Sequence, residues 1–172
     1  MGQKLRTEEK RILAQKLFEE HGAAVFRFAL RLAGNRTVAE DITSDTILVA
    51  LEKVQRNESI DLTRNYLFGI TINKWRRTRP SPSQTISEML AADATNLDQL
   101  LDLERAFRTL PQALQEAFVL VKAEGLTSKE AAEILKIPQG TVQSRVHDAV
   151  HQMRNILHEP LAPTAIFSEV KP

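Results

Sequence analysis

The chain has 172 residues, 42% of them hydrophobic, enough for one medium core or two small ones. Its 23 Lys and Arg stand against 22 Asp and Glu, for a net charge of +1, and the absence of cysteine excludes disulfides and cysteine-based zinc sites. No apolar run approaches the ~20 residues that span a bilayer and the N-terminus is charged rather than signal-like, so a soluble, cytoplasmic protein without membrane insertion is expected.

Almost nothing reads as strand. Residues 9–33 carry Ile12, Leu13, Leu17, Phe18, Val25, Phe26, Phe28, Ala29, Leu30 and Leu32 at helical spacing, with Gly22 as the place for a break. Gly34-Asn35 makes a turn, and residues 38–54 form a helix whose broad apolar face holds Ile42, Ile47, Leu48, Ala50, Leu51 and Val54. After a polar connection at 56–61, residues 62–77 continue as helix through Tyr66, Leu67, Ile70, Ile72 and Trp75. Pro80-Ser81-Pro82-Ser83 then stops regular structure, since two prolines in three residues remove donors and disfavour helix before them. Residues 84–96 read as a mobile acidic linker with one helical turn around 86–90. Helices follow at 97–110 and from Pro111 to about residue 123, with Leu114, Phe118 and Val121 inward and Gly125 as a left-handed stop.

Residues 126–157 read as two helices joined by a tight turn. Thr127 and Glu130 have the spacing of a capping box, and Leu126 can staple onto Ala131. Pro138 stands at or beside the first residue of the longer helix, where its missing N–H costs nothing. Val142, Val146, Ala149, Val150, Met153, Ile156 and Leu157 mark its core face, leaving Gln139, Thr141, Gln143, Ser144, Arg145 and Asp148 near its start. This is how a helix-turn-helix enters a major groove: Arg145 suits a guanine edge or a phosphate, and Thr141, Gln143 and Ser144 suit bases or phosphate. Pro160 ends the helix and a proline-containing tail follows. The expected architecture is all-α: two small helical bundles joined by a flexible acidic linker, divided as 8–80, 81–96, 97–158 and 159–172.

The near-neutral total hides segregation. Every charge from Arg64 to Arg79 is basic (Arg64, Lys74, Arg76, Arg77, Arg79), whereas residues 81–103 hold Glu88, Asp93, Asp98 and Asp102 and no Lys or Arg. Tyr66, Phe68 and Trp75 lie among those basic residues, and flat rings with cations suit strand-separated DNA. Trp75 taken alone is expected in the core, because large aromatics are mostly buried. The charges taken together point to a polyanion. There is no phosphate-binding Gly loop, no carboxylate pair in an implied pocket and no nucleophile with a base, so neither an enzyme nor a cofactor is expected. His147 and His151 lie at i, i+4 without a third ligand, and no metal site is expected. Glu40 and Asp41 sit near a helix N-terminus, where they suit the dipole or present charge to a basic partner.

The blocks GNRTVAEDITSDTILVAL and RNYLFGITINKWRR resemble region 2 of extracytoplasmic-function (group 4) sigma factors, with Ala39, Glu40 and Asp41 in the acidic box, Tyr66-Leu67 at the usual Trp-Leu and Asn73 at the characteristic Asn. LRTLPQALQEAFVLVKAEGLTSKEAAEILKIPQGTVQSRVHDAV is similar to region 4, most specifically at Gly140, Thr141, Val142, Ser144 and Arg145. The resemblance, over roughly residues 14–157, implies promoter-specific initiation with core RNA polymerase. Glu40, Asp41, Ser44, Asp45 and Leu48 would meet the clamp helices of its largest subunit. Tyr66, Asn73, Lys74, Trp75, Arg76, Arg77 and Arg79 would hold the melted −10 strand. Lys129, Gln139, Thr141, Gln143, Ser144, Arg145 and His147 would face the −35 duplex, region 4 would touch the polymerase flap, and an anti-sigma factor is an expected partner. Val38 replaces the first acid of the box, a charge that phosphorylation of Thr37, Thr43 or Ser44 would restore. Lys136 replaces the usual turn glycine, which demands an awkward backbone or a different turn. Gln143 and Asp148 replace commonly basic positions, so weak binding with a shallow salt slope is expected of region 4. The rivals are a stand-alone helix-turn-helix regulator, which would bind a duplex tightly without polymerase, and a helical adaptor for an acidic protein.

Overall fold

The computed structural model describes residues 7–56, 62–78 and 97–158, which are helical with no strand among them. The linker at 81–96, the tail, and Arg79 lie outside the described residues.

Helix α1 (Thr7–Leu17) runs through a π-helical turn (Phe18–Gly22) into α2 (Ala23–Ala33). Gly22 keeps helical angles, so the break expected there is instead a wide turn that absorbs an extra residue. Gly34 ends α2 in the left-handed region (φ 64°), its N–H bonded to the Leu30 carbonyl. Helix α3 (Arg36–Gln55) starts at Asn35, whose side chain accepts the Val38 N–H at 3.0 Å. Ile42, Thr46, Ile47, Ala50 and Leu51 face inward, whereas Leu48, read from the sequence as part of the apolar face, is 57% exposed. Helix α4 (Arg64–Trp75) is capped by Thr63, which accepts the Tyr66 N–H at 3.2 Å. The Thr46 hydroxyl donates to the Ile42 carbonyl at 2.8 Å and lies 3.3 Å from the Thr71 hydroxyl, a polar pair inside the α3–α4 contact. Phe28 of α2 stacks on Phe68 of α4 with centroids 4.1 Å apart.

The second set comprises α5 (Leu97–Thr109), α6 (Gln112–Phe118), which passes into a second π-helical turn (Val119–Ala123), α7 (Ser128–Leu135) and α8 (Gln139–His158). Buried Gln115 donates to the carbonyls of Phe107 (3.2 Å) and Leu110 (3.0 Å), satisfying acceptors at the end of α5. Gly125 supplies the expected left-handed stop at φ 71°. The capping box forms as its spacing predicts: Glu130 accepts the Thr127 N–H at 2.8 Å, and the Thr127 hydroxyl accepts the Glu130 N–H at 3.2 Å. Lys136 takes the awkward backbone (φ 57°, ψ 46°), and the amides of Lys136 and Ile137 both reach the Ala132 carbonyl. Pro138 sits just before α8, its carbonyl accepting from Thr141 and Val142.

The two sets do not stand apart. One buried cluster joins Phe28, Leu32, Phe68 and Ile72 to Ala106, Leu110, Leu120, Leu135, Val142 and Met153. Arg108 of α5 crosses the same boundary to bond the carbonyls of Leu32 (2.5 Å) and Arg31 (3.0 Å), placing a cation at the negative end of α2. Burial lowers the Arg108 pKa, with Glu104 opposing, but a guanidinium stays charged in protein. Arg108 Nε and Glu104 Oε1 face each other at 3.7 Å, too long for a hydrogen bond. A smaller cluster of Leu17, Val25, Ile47, Ala50, Leu51, Leu67 and Ile70 holds α1, α3 and α4 together.

Candidate nucleic-acid and partner surfaces

The helical repeat of α3 puts Asp41, Ser44, Asp45 and Leu48 on one exposed ridge, because Thr43 and Ile47 turn to the core. Glu40 lies beside it, paired with Arg36 at 2.9 Å. Asp45 accepts from Lys74 of α4 at 2.9 Å. Leu48 stands 57% exposed among these carboxylates. Thr43 departs from the sequence expectation: it is buried and its hydroxyl donates to the Ala39 carbonyl at 2.7 Å, so it offers no modifiable group. Thr37 and Ser44 are exposed.

The strand-facing candidates divide. Asn73, Arg76 and Arg77 are exposed at the end of α4, and Arg77 has no ion-pair partner among the described residues. Tyr66 is half-buried against the cluster of Leu17 and Leu67, its hydroxyl sealed from solvent without a hydrogen-bond partner among the described residues. Trp75 packs against two clusters, as expected of it taken alone, and lines a cleft of about 550 Å³ with Val38, Arg76, Arg108 and Leu110. Lys74 is committed to Asp45. The end of α4 therefore presents the Asn73 amide and the Arg77 guanidinium, with the Arg76 guanidinium turned to Glu116, rather than a row of free rings.

In the helix-turn-helix, Gln139, Gln143, Ser144 and His147 are exposed along the first half of α8, with Thr141 and Arg145 half-exposed. The Ser144 hydroxyl donates to the Thr141 carbonyl at 3.1 Å, and His147 Nδ1 lies 3.5 Å from Asp148. Arg145 and Lys129 of α7 have no ion-pair partner among the described residues, which leaves both cations available. Val142, Ala149 and Met153 are buried on the opposite face, so core packing orients the polar half of α8 outward. Glu130 is held below the ordinary carboxylate range by the Thr127 N–H and hydroxyl, which keeps the cap ionised.

Sequence reasoning missed the residues that join the two sets. Arg76 Nε and Nη2 donate to the two oxygens of Glu116 at 2.7 and 2.6 Å, a bidentate pair that raises the Arg76 pKa. Arg31 pairs with Glu124, and Arg64 donates to the Glu124 carbonyl at 3.1 Å. Asn65 reaches Glu130 at 3.4 Å.

A helix-turn-helix beside a basic-ended helix pair defines a two-region transcription protein. Residues 17–80 match the Sigma-70 region 2 family, and residues 100–153 match Sigma-70, region 4. SigL of Mycobacterium tuberculosis, an ECF RNA polymerase sigma factor, is 30% identical over 167 residues, covering 86% of this chain and 90% of SigL. SigE of Mycolicibacterium smegmatis, of the same description, is 31% identical over 164 residues and 87% of this chain; the chain spans 63% of its length. The chain belongs to the ECF RNA polymerase sigma factors. Its fold is shared by the sigma factor RpoE of Bartonella quintana, solved with the anti-sigma factor NepR (TM-score 0.62, 22% identity, 83% of this chain and 95% of that one). It is likewise shared by CnrH, solved with the cytosolic domain of CnrY (TM-score 0.64, 22% identity, 84% and 86%). Among the described residues no helix is long and apolar enough to cross a membrane.

Proposed function

We propose that the chain binds core RNA polymerase in the cytoplasm and directs initiation at promoters with −10 and −35 elements, catalysing nothing itself. The α3 ridge of Asp41, Ser44, Asp45 and Leu48, with Glu40 beside it, meets the clamp helices of the largest subunit. Asn73, Arg76 and Arg77 hold the melted −10 strand, with Trp75 as the ring nearest to it. Gln139, Thr141, Gln143, Ser144, Arg145 and His147 face the −35 duplex while Lys129 meets a phosphate, and the second set of helices also touches the polymerase flap. The observation that carries this reading is the exposed acidic and apolar ridge of α3, tied through Lys74 and Asp45 to the helix that ends in Arg76 and Arg77. Both solved relatives named above were captured with an anti-sigma factor or a partner's cytosolic domain, and a restraining partner of that kind is proposed here too.

The test is transcription in vitro with core polymerase and a genomic fragment library. Discrete transcripts that require both core and this protein are expected. Failure to associate with core, or equally tight binding to a duplex operator by the protein alone, would favour the free-standing regulator instead.

A further inference from the structure

Lys136 is the one residue of the helix-turn-helix whose backbone is strained. It holds φ 57°, ψ 46°, and no other non-glycine residue among the described ones has a positive φ. Nothing inside the chain uses its side chain. Leu135 before it is buried and Ile137 after it packs on the core, so its neighbours pin the corner. The two amides that close the corner on the Ala132 carbonyl are backbone groups that glycine would keep. The Lys136 side chain is exposed, with no hydrogen bond or ion pair among the described residues. A strained, solvent-facing cation without an internal partner points to a contact made outside the chain.

The position of that cation fixes the kind of contact. Lys136 follows Lys129 by seven residues, about two turns of α7, so both stand on one side of it, with exposed Glu133 between them and paired to neither. Past the corner, Pro138, Gln139 and Gly140 are exposed in a row, and the space around Gly140 is open. Lys136 therefore borders the start of α8, where Gln139 and Thr141 begin the polar face. That face is poor in positive charge. The first half of α8 holds Arg145 alone, and Asp148 lies against His147. Lys129 adds a second cation from α7, and Lys136 makes a third.

We propose that Lys136 is a backbone-contact residue of the −35 surface, its ammonium meeting a duplex phosphate beside the groove that α8 enters. The proposal rests on the reading of α8 as the −35 helix. Lysine carries a compact charge on a flexible stem, which meets a phosphate without demanding a fixed approach and reads no base. A glycine corner would be relaxed and uncharged; lysine keeps strain in the free protein and adds one phosphate contact in the complex.

Binding is read by fluorescence anisotropy over a salt series, with the full-length chain on a fluorescein-labelled random duplex of about 20 base pairs and with holoenzyme on a labelled promoter fragment. Lys136→Gly should bind both DNAs more weakly by a similar factor, and its plot of log affinity against log salt should be shallower by about 0.9. The deficit should accordingly shrink roughly 3.5-fold between about 50 and 200 mM salt. Lys136→Arg keeps the charge at the same corner and should retain the slope. Lys16→Gln, which removes an exposed lysine of α1, should leave it unchanged. Equal slopes for the unmodified chain and Lys136→Gly would overturn the proposal, even where core polymerase binds and transcripts form. A shallow slope for Lys136→Arg would overturn it too, by tracing the loss to the corner rather than the charge. If Lys136→Gly shows the shallower slope on duplex but no form binds core, the contact stands and the sigma-factor reading falls. No duplex binding by any form, alone or with core, overturns both.

Discussion

Replacing Lys136 with glycine should stabilise the protein. Lys136 is the one non-glycine residue at positive φ among the described residues, and it is exposed. Holding an L-residue in the left-handed region costs ~1–2 kcal/mol. Glycine removes that strain but makes the unfolded chain more flexible, which returns ~0.5–1 kcal/mol. The bonds that close the turn run from the amides of Lys136 and Ile137 to the Ala132 carbonyl, and glycine keeps both. The net gain is about 0.5–1 kcal/mol, or an increase in Tm of roughly 1–4 °C for a chain of this size. Thermal unfolding followed by circular dichroism measures it, with Lys136→Ala as the comparison that retains the strain. A Tm for Lys136→Gly equal to or below that of the unmodified protein would refute the reasoning, because the lysine would then carry a compensating contact.

Gly34→Ala should act in the opposite sense. Gly34 sits at φ 64° and an added Cβ would lie 2.6 Å from the Arg108 guanidinium, so strain and displacement of that cation combine to cost at least ~2 kcal/mol, read as a lower urea midpoint. Leu48→Ala should leave the urea midpoint within ~0.5 kcal/mol, since the side chain is exposed, yet weaken binding to core polymerase about tenfold by surface plasmon resonance. Glu130→Gln carries a pH signature. The Thr127 bonds depress the folded-state pKa of Glu130 below its ordinary 4.5, so the advantage of Glu130 over Gln should be full above that pH and disappear as pH falls through the lowered value. Urea midpoints across pH 3–7 measure it, and a constant difference would contradict the assignment.

Local chemistry was legible where a few residues decide it. The Thr127–Glu130 cap, the turn at Gly34 and the glycine stop at 125 follow from residues acting on their own backbone, and all are present, while Lys136 takes the awkward backbone of the two alternatives open to it. Leu48 was harder, because on a 20-residue helix one hydrophobic residue outside the buried stripe looks the same as one within it. The π-helical turns escaped as well, since they shift the helical phase without any marker residue; in the second, Gly125 follows only after the shift. The pairs of Arg76 with Glu116 and of Arg31 with Glu124 were illegible for a different reason. Glu116 sits next to Gln115 on a seven-residue helix, and both are buried. Single-face reasoning assigns two consecutive polar residues to solvent, and only the partners from distant helices reverse that.

The hydroxyl contact between Thr46 and Thr71, sealed inside the α3–α4 seam and backed at the rim by Lys74 and Asp45, makes those two helices a single lever. A partner seated on α3 would therefore carry α4 with it, and loosening the seam by Thr46→Val should uncouple the two.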